Sequence, residues 1–537
     1  MKYILIAFLC IVSWAINAQV AKMLQDLNPG ELGSRPVNRQ IISIGDKVFF
    51  TALTATVSEE LFVSNGTPAG TKLVKDINPG VTLNSNIGHF NAFKGKLIFS
   101  ANDGINGNEL WISDGTEAGT TMIKDFFPGS GSGIASTAIR NVIVHNDFVY
   151  LFAQKEGGKI GLWKSDGTTI GTKELFASLS ANTNPDQLTV FNNSIYFFAI
   201  TDVAKGGKLH KLDLNSEQVS IIDDPNLGSI NSIEELTVCG SRMYFSASLN
   251  FGFGKEPCYS DGTANGTNLL KNLVNPGSSN PTDFTFLGGN KVVFFTSGAV
   301  YVTDGTSSGT VALNAFGRSD VRPVKNSANQ VYFSGSLFGD TKIGNELFVT
   351  DGTISGTKLV KDIYPDSSKA SAPTNLFLLN NKIYFSAIGD ANNSELWESD
   401  GTSIGTKLFV EINPGVEGSF PSIINAIKSN LFFFAFHPNF GFEPTYIDLS
   451  TSVSNQLIYS DLNIQDNLDS WLIKLENSIE AELVYELIDL GGKVLSFGSV
   501  KNMKNFEIRK PESSGVYFIR VFSKDYKLFG LKKLIRS

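Results

Sequence analysis

Cysteine and histidine are scarce in this chain of 537 residues, with three and four copies. So few ligands leave little room for a zinc site. Charged residues make up only 18%, and 52 acids against 44 bases leave a net charge of −8. An acidic chain is a poor general binder of nucleic acid. After the first 18 residues no apolar run approaches the roughly 20 residues needed to span a membrane. No Walker sequence, His-Glu-x-x-His or Cys-x-x-Cys occurs, which excludes those phosphate, zinc-protease and redox signatures. His89, His145, His210 and His437 are scattered and are expected at the surface or in loops. Glycine (51) and phenylalanine (41) are abundant, the composition of many turns and aromatic-rich strands.

The first 18 residues read as an address. Lys2 is followed by the apolar run Tyr3 to Trp14, and Ile16-Asn17-Ala18 offers a small residue for cleavage before Gln19. That is the layout of a secretory signal peptide. Cys10 leaves with it, so Cys239 and Cys258 remain. Export permits a disulfide between them; the alternative is two buried thiols. Charge is unevenly spread. Residues 490–537 carry a net +8, so the body over residues 3–489 is near −17.

From residue 19 onwards one unit is written about nine times. The clearest copies are Glu109-Leu110-Trp111-Ile112-Ser113-Asp114-Gly115-Thr116 and Glu395-Leu396-Trp397-Glu398-Ser399-Asp400-Gly401-Thr402, each followed by a Gly-Thr pair. The marker position falls at 65, 114, 166, 213, 261, 304, 351, 400 and 448, a spacing of 43 to 52 residues. Each unit reads as four strands, the length of one propeller blade. Asp114-Gly115, Asp166-Gly167, Asp261-Gly262, Asp304-Gly305, Asp351-Gly352 and Asp400-Gly401 are expected as turns between strands three and four, because Asp bonds nearby N–H groups and Gly accepts positive φ. The aromatic at Phe62, Trp111, Trp163, Phe348 and Trp397 is expected to pack between neighbouring units, and Cys258 takes its place in the fifth. The recurrent Glu (60, 109, 256, 346, 395, 443) needs a partner or water. Lys75, Lys124, Lys271 and Lys361 are candidate partners, and a ring of carboxylates at one end is the alternative. Leu24 to Gly30 repeats the fourth-strand text of Leu73 to Gly80 without three strands before it. It is therefore expected to complete the last unit and close a ring.

These residues resemble the ELWxxDGT repeat family of surface and secreted proteins of the Bacteroidota, over about residues 22–449. The resemblance and the period together imply an all-β fold, a closed β-propeller of about eight or nine four-stranded blades over 19–453. From 454 to 537 the repeat gives way to a predicted small β-sandwich. Its Asp489-Leu490-Gly491-Gly492-Lys493-Val494-Leu495, Gly515-Val516-Tyr517-Phe518-Ile519-Arg520-Val521 and Lys532-Lys533-Leu534-Ile535 resemble the type A C-terminal sorting domain of type IX secretion. The usual Tyr-Pro-Asn-Pro opening is absent. That resemblance implies the type IX machinery as a partner and release or attachment at the outer cell surface.

The chemistry is thinner. Asp103, Asn106 and Asn108 sit at near-alternate positions among glycines and form a weak calcium candidate, with an ordinary polar loop as the alternative. No other cofactor is expected. With no catalytic constellation apparent, the expected function is a noncatalytic binding or adhesion protein for a glycan or a surface protein. A polysaccharide-active enzyme and a structural envelope component are the alternatives.

Overall fold

The computed structural model describes residues 21–536 except 31–32, 37–38, 55, 81–82, 135–140, 181–184, 203–205, 229, 250–253, 319–321, 340–342, 366–369, 390–392, 414–417, 439, 450–461, 468, 476–481, 490–493, 502–504, 512 and 524–527. Residues 1–18, where a signal peptide is expected, lie outside the described residues. The chain divides into two compact units, residues 19–448 and a unit containing 449–537.

The larger unit is built of strands and turns. Its first repeat shows the plan: Ile41–Ile44, Lys47–Ala52, Glu60–Ser64 and Lys72–Lys75 pair in that order, all antiparallel. The second strands, such as Lys96–Asn102 and Lys382–Ile388, are buried along nearly their whole length. Sheets cover them on both faces, so they read as continuous apolar runs instead of alternating ones. Among the described residues this plan yields five four-stranded and two eight-stranded antiparallel sheets. In each eight-stranded sheet two successive repeats share a ladder, at Gly207 with Ile230 and at Phe316 with Leu337.

The core lies between sheets. Leu61, Val63 and Val74 of the first repeat pack on Leu97, Phe99 and Trp111 of the second. Face-to-face stacking of this kind gives a β-propeller-like, all-β fold. The first strands of successive repeats lie side by side: Ile41–Ile44 against Gly88–Phe93, and Thr374–Leu379 against Ser422–Ile427.

The two ends of the larger unit also meet. Lys22–Met23 adds to the outer edge of Gly441–Ile447, with Lys22 opposite Tyr446 and Met23 opposite Thr445. Leu24 N–H donates to the Pro444 carbonyl at 2.8 Å. Val48, Phe50 and Phe62 of the first repeat share a core cluster with Phe432 and Phe434 of the ninth. The Ser43 hydroxyl donates to Asn425 Oδ1 at 2.7 Å and also to the Ala426 carbonyl.

The smaller unit has a three-stranded sheet, Leu462–Asp466, Ser470–Leu475 and Asn505–Arg509. Its four-stranded partner contains Val494–Lys501, Glu482–Asp489, Gly515–Ser523 and Leu528–Arg536. Trp471 and Ile508 of one sheet and Ile519 and Leu534 of the other belong to one buried cluster. This unit therefore has a core of its own.

Candidate functional site

The recurrent residues are placed first, because they define what is left over. In the turn, Asp114 Oδ1 accepts the Thr116 N–H at 2.9 Å and the Thr116 hydroxyl at 2.7 Å. These bonds hold the Asp114 carboxyl below the usual carboxylate range. The same pair of bonds recurs at Asp166, Asp261, Asp304, Asp351 and Asp400. Gly115 has φ +89°, and a Cβ on Gly119 would lie 2.2 Å from Asp114, so each glycine is required. Two of these turns, Gly305-Thr306-Ser307-Ser308-Gly309 and Gly401-Thr402-Ser403-Ile404-Gly405, fit the spelling Gly-x-Ser-x-Gly. Both are hairpin loops between two strands of one sheet, and neither is the strand-to-helix elbow that spelling requires.

Among the described residues the recurrent Glu pairs with no Lys, and it is buried instead of forming a ring of carboxylates at one end, which corrects both expectations. Its side chain is buried and ties down the segment that follows strand four. Glu109 accepts N–H groups from Phe126 at 2.9 Å and Gly133 at 2.6 Å. Glu256 accepts those of Leu273 at 2.9 Å and Ser279 at 3.1 Å. Glu443 accepts the Leu27 N–H at 3.0 Å and the Ser34 hydroxyl at 2.7 Å. It thus treats the N-terminal segment as its own fourth strand. Burial pushes the carboxyls of Glu60, Glu109 and Glu443 up to about 7. The lysines link neighbouring repeats instead. Lys271 donates to the Thr310 carbonyl at 2.7 Å and Lys361 to that of Thr406 at 2.8 Å. Lys124 lies 5.5 Å from the centre of the Trp163 ring.

Cys239 and Cys258 are both free and buried, so the disulfide alternative does not form. Cys239 ends the first strand of its repeat and Cys258 lies in the third. Two strand spacings, about 9.6 Å, exceed the roughly 7 Å Cα limit for a disulfide. Burial pushes the Cys239 thiol up to about 12. His210 is buried and stacks on Phe197, at 5.2 Å between ring centres, which corrects its expected surface place. Burial also lowers His437 to about 4. His89 bonds Ser100 at 2.9 Å, but Ser100 is buried.

In the calcium candidate, Asp103 Oδ1 accepts N–H groups from Ile105 at 2.9 Å and Asn106 at 2.8 Å, while Oδ2 accepts the Asn106 amide at 2.8 Å. Asn108 is buried and donates to the Ile134 carbonyl at 3.1 Å. The three side chains thus hold a polar loop together. Among the described residues no group of three or more His, Cys, Asp or Glu converges as a metal site.

What sequence reasoning missed is a cavity of about 740 Å³. Arg35, Arg39 and Arg322 line it, with Asn375, Ser386, Phe420 and Phe442. Asn375 belongs to the first strand of the eighth repeat, and Phe420 precedes that of the ninth. Arg39 and Arg322 each lie two residues before the first strands of repeats one and seven. Gly33 makes the approach feasible: a Cβ there would lie 2.1 Å from Phe442 N. The Arg35 guanidinium sits 4.8 Å over the Phe442 ring. Burial and the neighbouring Arg39 charge both lower the Arg35 pKa. Among the described residues no carboxylate pairs with any of the three arginines. The available signal was limited to three arginines in an acidic body, with Arg322 far from the other two in the chain.

No family model matches the chain, and no curated protein matches it. Solved structures match in fold. Oligopeptidase B from Leishmania major does so at 8% identity and a TM-score of 0.40, over 85% of this chain and 55% of its own. A structure from a study of two prolyl endopeptidases does so at 8% and 0.38, over 94% and 56%. Puromycin hydrolase follows at 11% and 0.34, over 76% and 61%. The present chain thus spans little more than half the length of the first two. Likeness at this level bears on the fold alone. The matching chains are titled as peptidases and a hydrolase. The expectation of a noncatalytic binding or adhesion protein, with its polysaccharide-enzyme and envelope alternatives, finds no support among these peptidases and this hydrolase and is set aside.

Proposed function

We propose that residues 19–448 form one closed ring of nine blades, and that the protein acts by taking a small molecule into the mouth of that ring. One observation carries the reading: the arginine-lined cavity lies at the seam where the first and ninth repeats meet. The side-by-side first strands support closure, since the inner strand of each blade lines the channel of a propeller. Lys325 donates to the Phe286 carbonyl and so joins the first strands of the sixth and seventh repeats. A site shared by several blades at a ring opening is a usual place for a ligand.

We also propose membership of the ELWxxDGT repeat family and export by type IX secretion, with residues 454–537 as the sorting unit. The repeat spelling, the N-terminal apolar run and the basic C-terminal unit support this address.

The test begins with closure. The double variant Ser43→Cys, Asn425→Cys should cross-link on mild oxidation, because their side chains are 2.7 Å apart. Failure to cross-link in the folded protein refutes the ring. Hydrogen exchange with bound small molecules then reads the mouth. Protection of 35–40, 374–376 and 420–422 supports the site, and protection confined elsewhere refutes it.

A further inference from the structure

We propose that the cavity at the seam binds a small organic polyanion, with Arg35, Arg39 and Arg322 as its cationic wall. The inference rests on the reading of the mouth as the place of action and names the ligand class. Its volume of about 740 Å³ falls within the range of small-molecule sites. Among the described residues no carboxylate pairs with these three arginines, and the Arg35 pKa is lowered by burial and then by the neighbouring Arg39 charge. Such a cluster is stabilised when an anion enters it. Guanidinium presents paired N–H donors in a plane that match carboxylate and phosphate oxygens. A single negative charge would leave the wall two charges short, so a ligand with two or three is favoured. The remaining wall is partly apolar. Phe420 is 48% exposed and Phe442 lies beneath Arg35, so the anion carries an apolar or aromatic body.

The acidic character of the rest of the molecule sharpens the assignment. A second cavity, of about 500 Å³, is lined by Asp186 and Glu234 and would repel the same ligand. Glu234 there is already paired with Lys255 at 2.6 Å. An anion therefore has one electrostatically favourable cavity of the two, and general surface attraction is opposed by the net charge of −8.

The experiment is calorimetric titration of the full chain with three probes: benzene-1,3,5-tricarboxylate, phenyl phosphate and the neutral trimethyl ester of the first. The expected result is binding of the tricarboxylate or the phosphate, at least tenfold tighter than the ester and weakened by salt. The two anions separate a carboxylate ligand from a phosphate ester. Arg322→Gln and Arg39→Gln should each weaken the anion at least tenfold, while Lys72→Gln, an exposed charge on a fourth strand, should leave it unchanged. If the ester binds as tightly as the acid and protects 374–376 and 420–422 from exchange, the mouth stands and the polyanion falls. If no probe binds at millimolar concentration, or if the arginine variants bind like the parent, the polyanion assignment is overturned.

Discussion

Glu109 holds two backbone N–H groups that have no water to turn to. Glu109→Ala leaves both donors orphaned. Each orphan costs about 1–3 kcal/mol, so a clear drop in the urea midpoint is expected, and Glu109→Gln should lose less. The same carboxyls set a pH dependence. Their folded pKa, about 7 for Glu60, Glu109 and Glu443, lies above the ordinary value of 4.5. The folded protein therefore holds protons that the unfolded chain releases between those values. That contribution is whole below about pH 4.5 and is lost as the pH rises through 7. Buried His437, lowered to about 4, opposes it by losing stability as the pH falls from 6.5. Glutamates outnumber histidines, so Tm should fall from pH 5 to pH 8, with a shallower slope in Glu109→Gln. A flat or rising profile contradicts the assignment.

At the scale of the element, the N-terminal strand is the piece that matters most. Lys22–Met23, Leu24 and Ser34 supply the ninth repeat with the edge, core residue and Glu443 partner that its own sequence lacks. Deleting residues 19–34 should expose the edge of Gly441–Ile447 and leave Glu443 buried without donors. An open strand edge is an association site. Light scattering should report oligomers, together with a lower Tm, whereas an unchanged monomer contradicts the strand's role. The entries to the first strands were not legible in the sequence. His89, Gln187, Glu235, Asp283, Asn375 and Ile423 all have φ between +53° and +69°, each beside a register shift. Their side chains differ so much that no spelling marks the bulge, although its place recurs. Asn375 uses it to reach the next repeat, donating to the Pro421 carbonyl at 3.3 Å.

At the scale of the molecule, two units carry separate cores. Residues 19–448 produced alone should unfold at the same midpoint as the corresponding transition of the full chain, read by calorimetry. A large shift would mean that the smaller unit contributes to the stability of the larger. In the native host, loss of 454–537 should trap the chain inside the outer membrane, and unaltered export would refute the sorting role.

The sequence by itself determined the repeat, its strands and its turns. Those depend on neighbours in the chain: Asp114 needs only Thr116, and the glycines need only their own φ. Its Leu24 to Gly30 text also pointed to the added strand. The partners of the recurrent Glu were decided only by the tertiary structure, because those N–H groups lie 17 to 25 residues away, or 416 in the case of Glu443 and Leu27. The separation of the two cysteines is a matter of strand order within a sheet. The arginine cavity depends on folding most of all. Arg35 and Arg322 are 287 residues apart in the chain, and only the stacking of sheets brings their charges to one space.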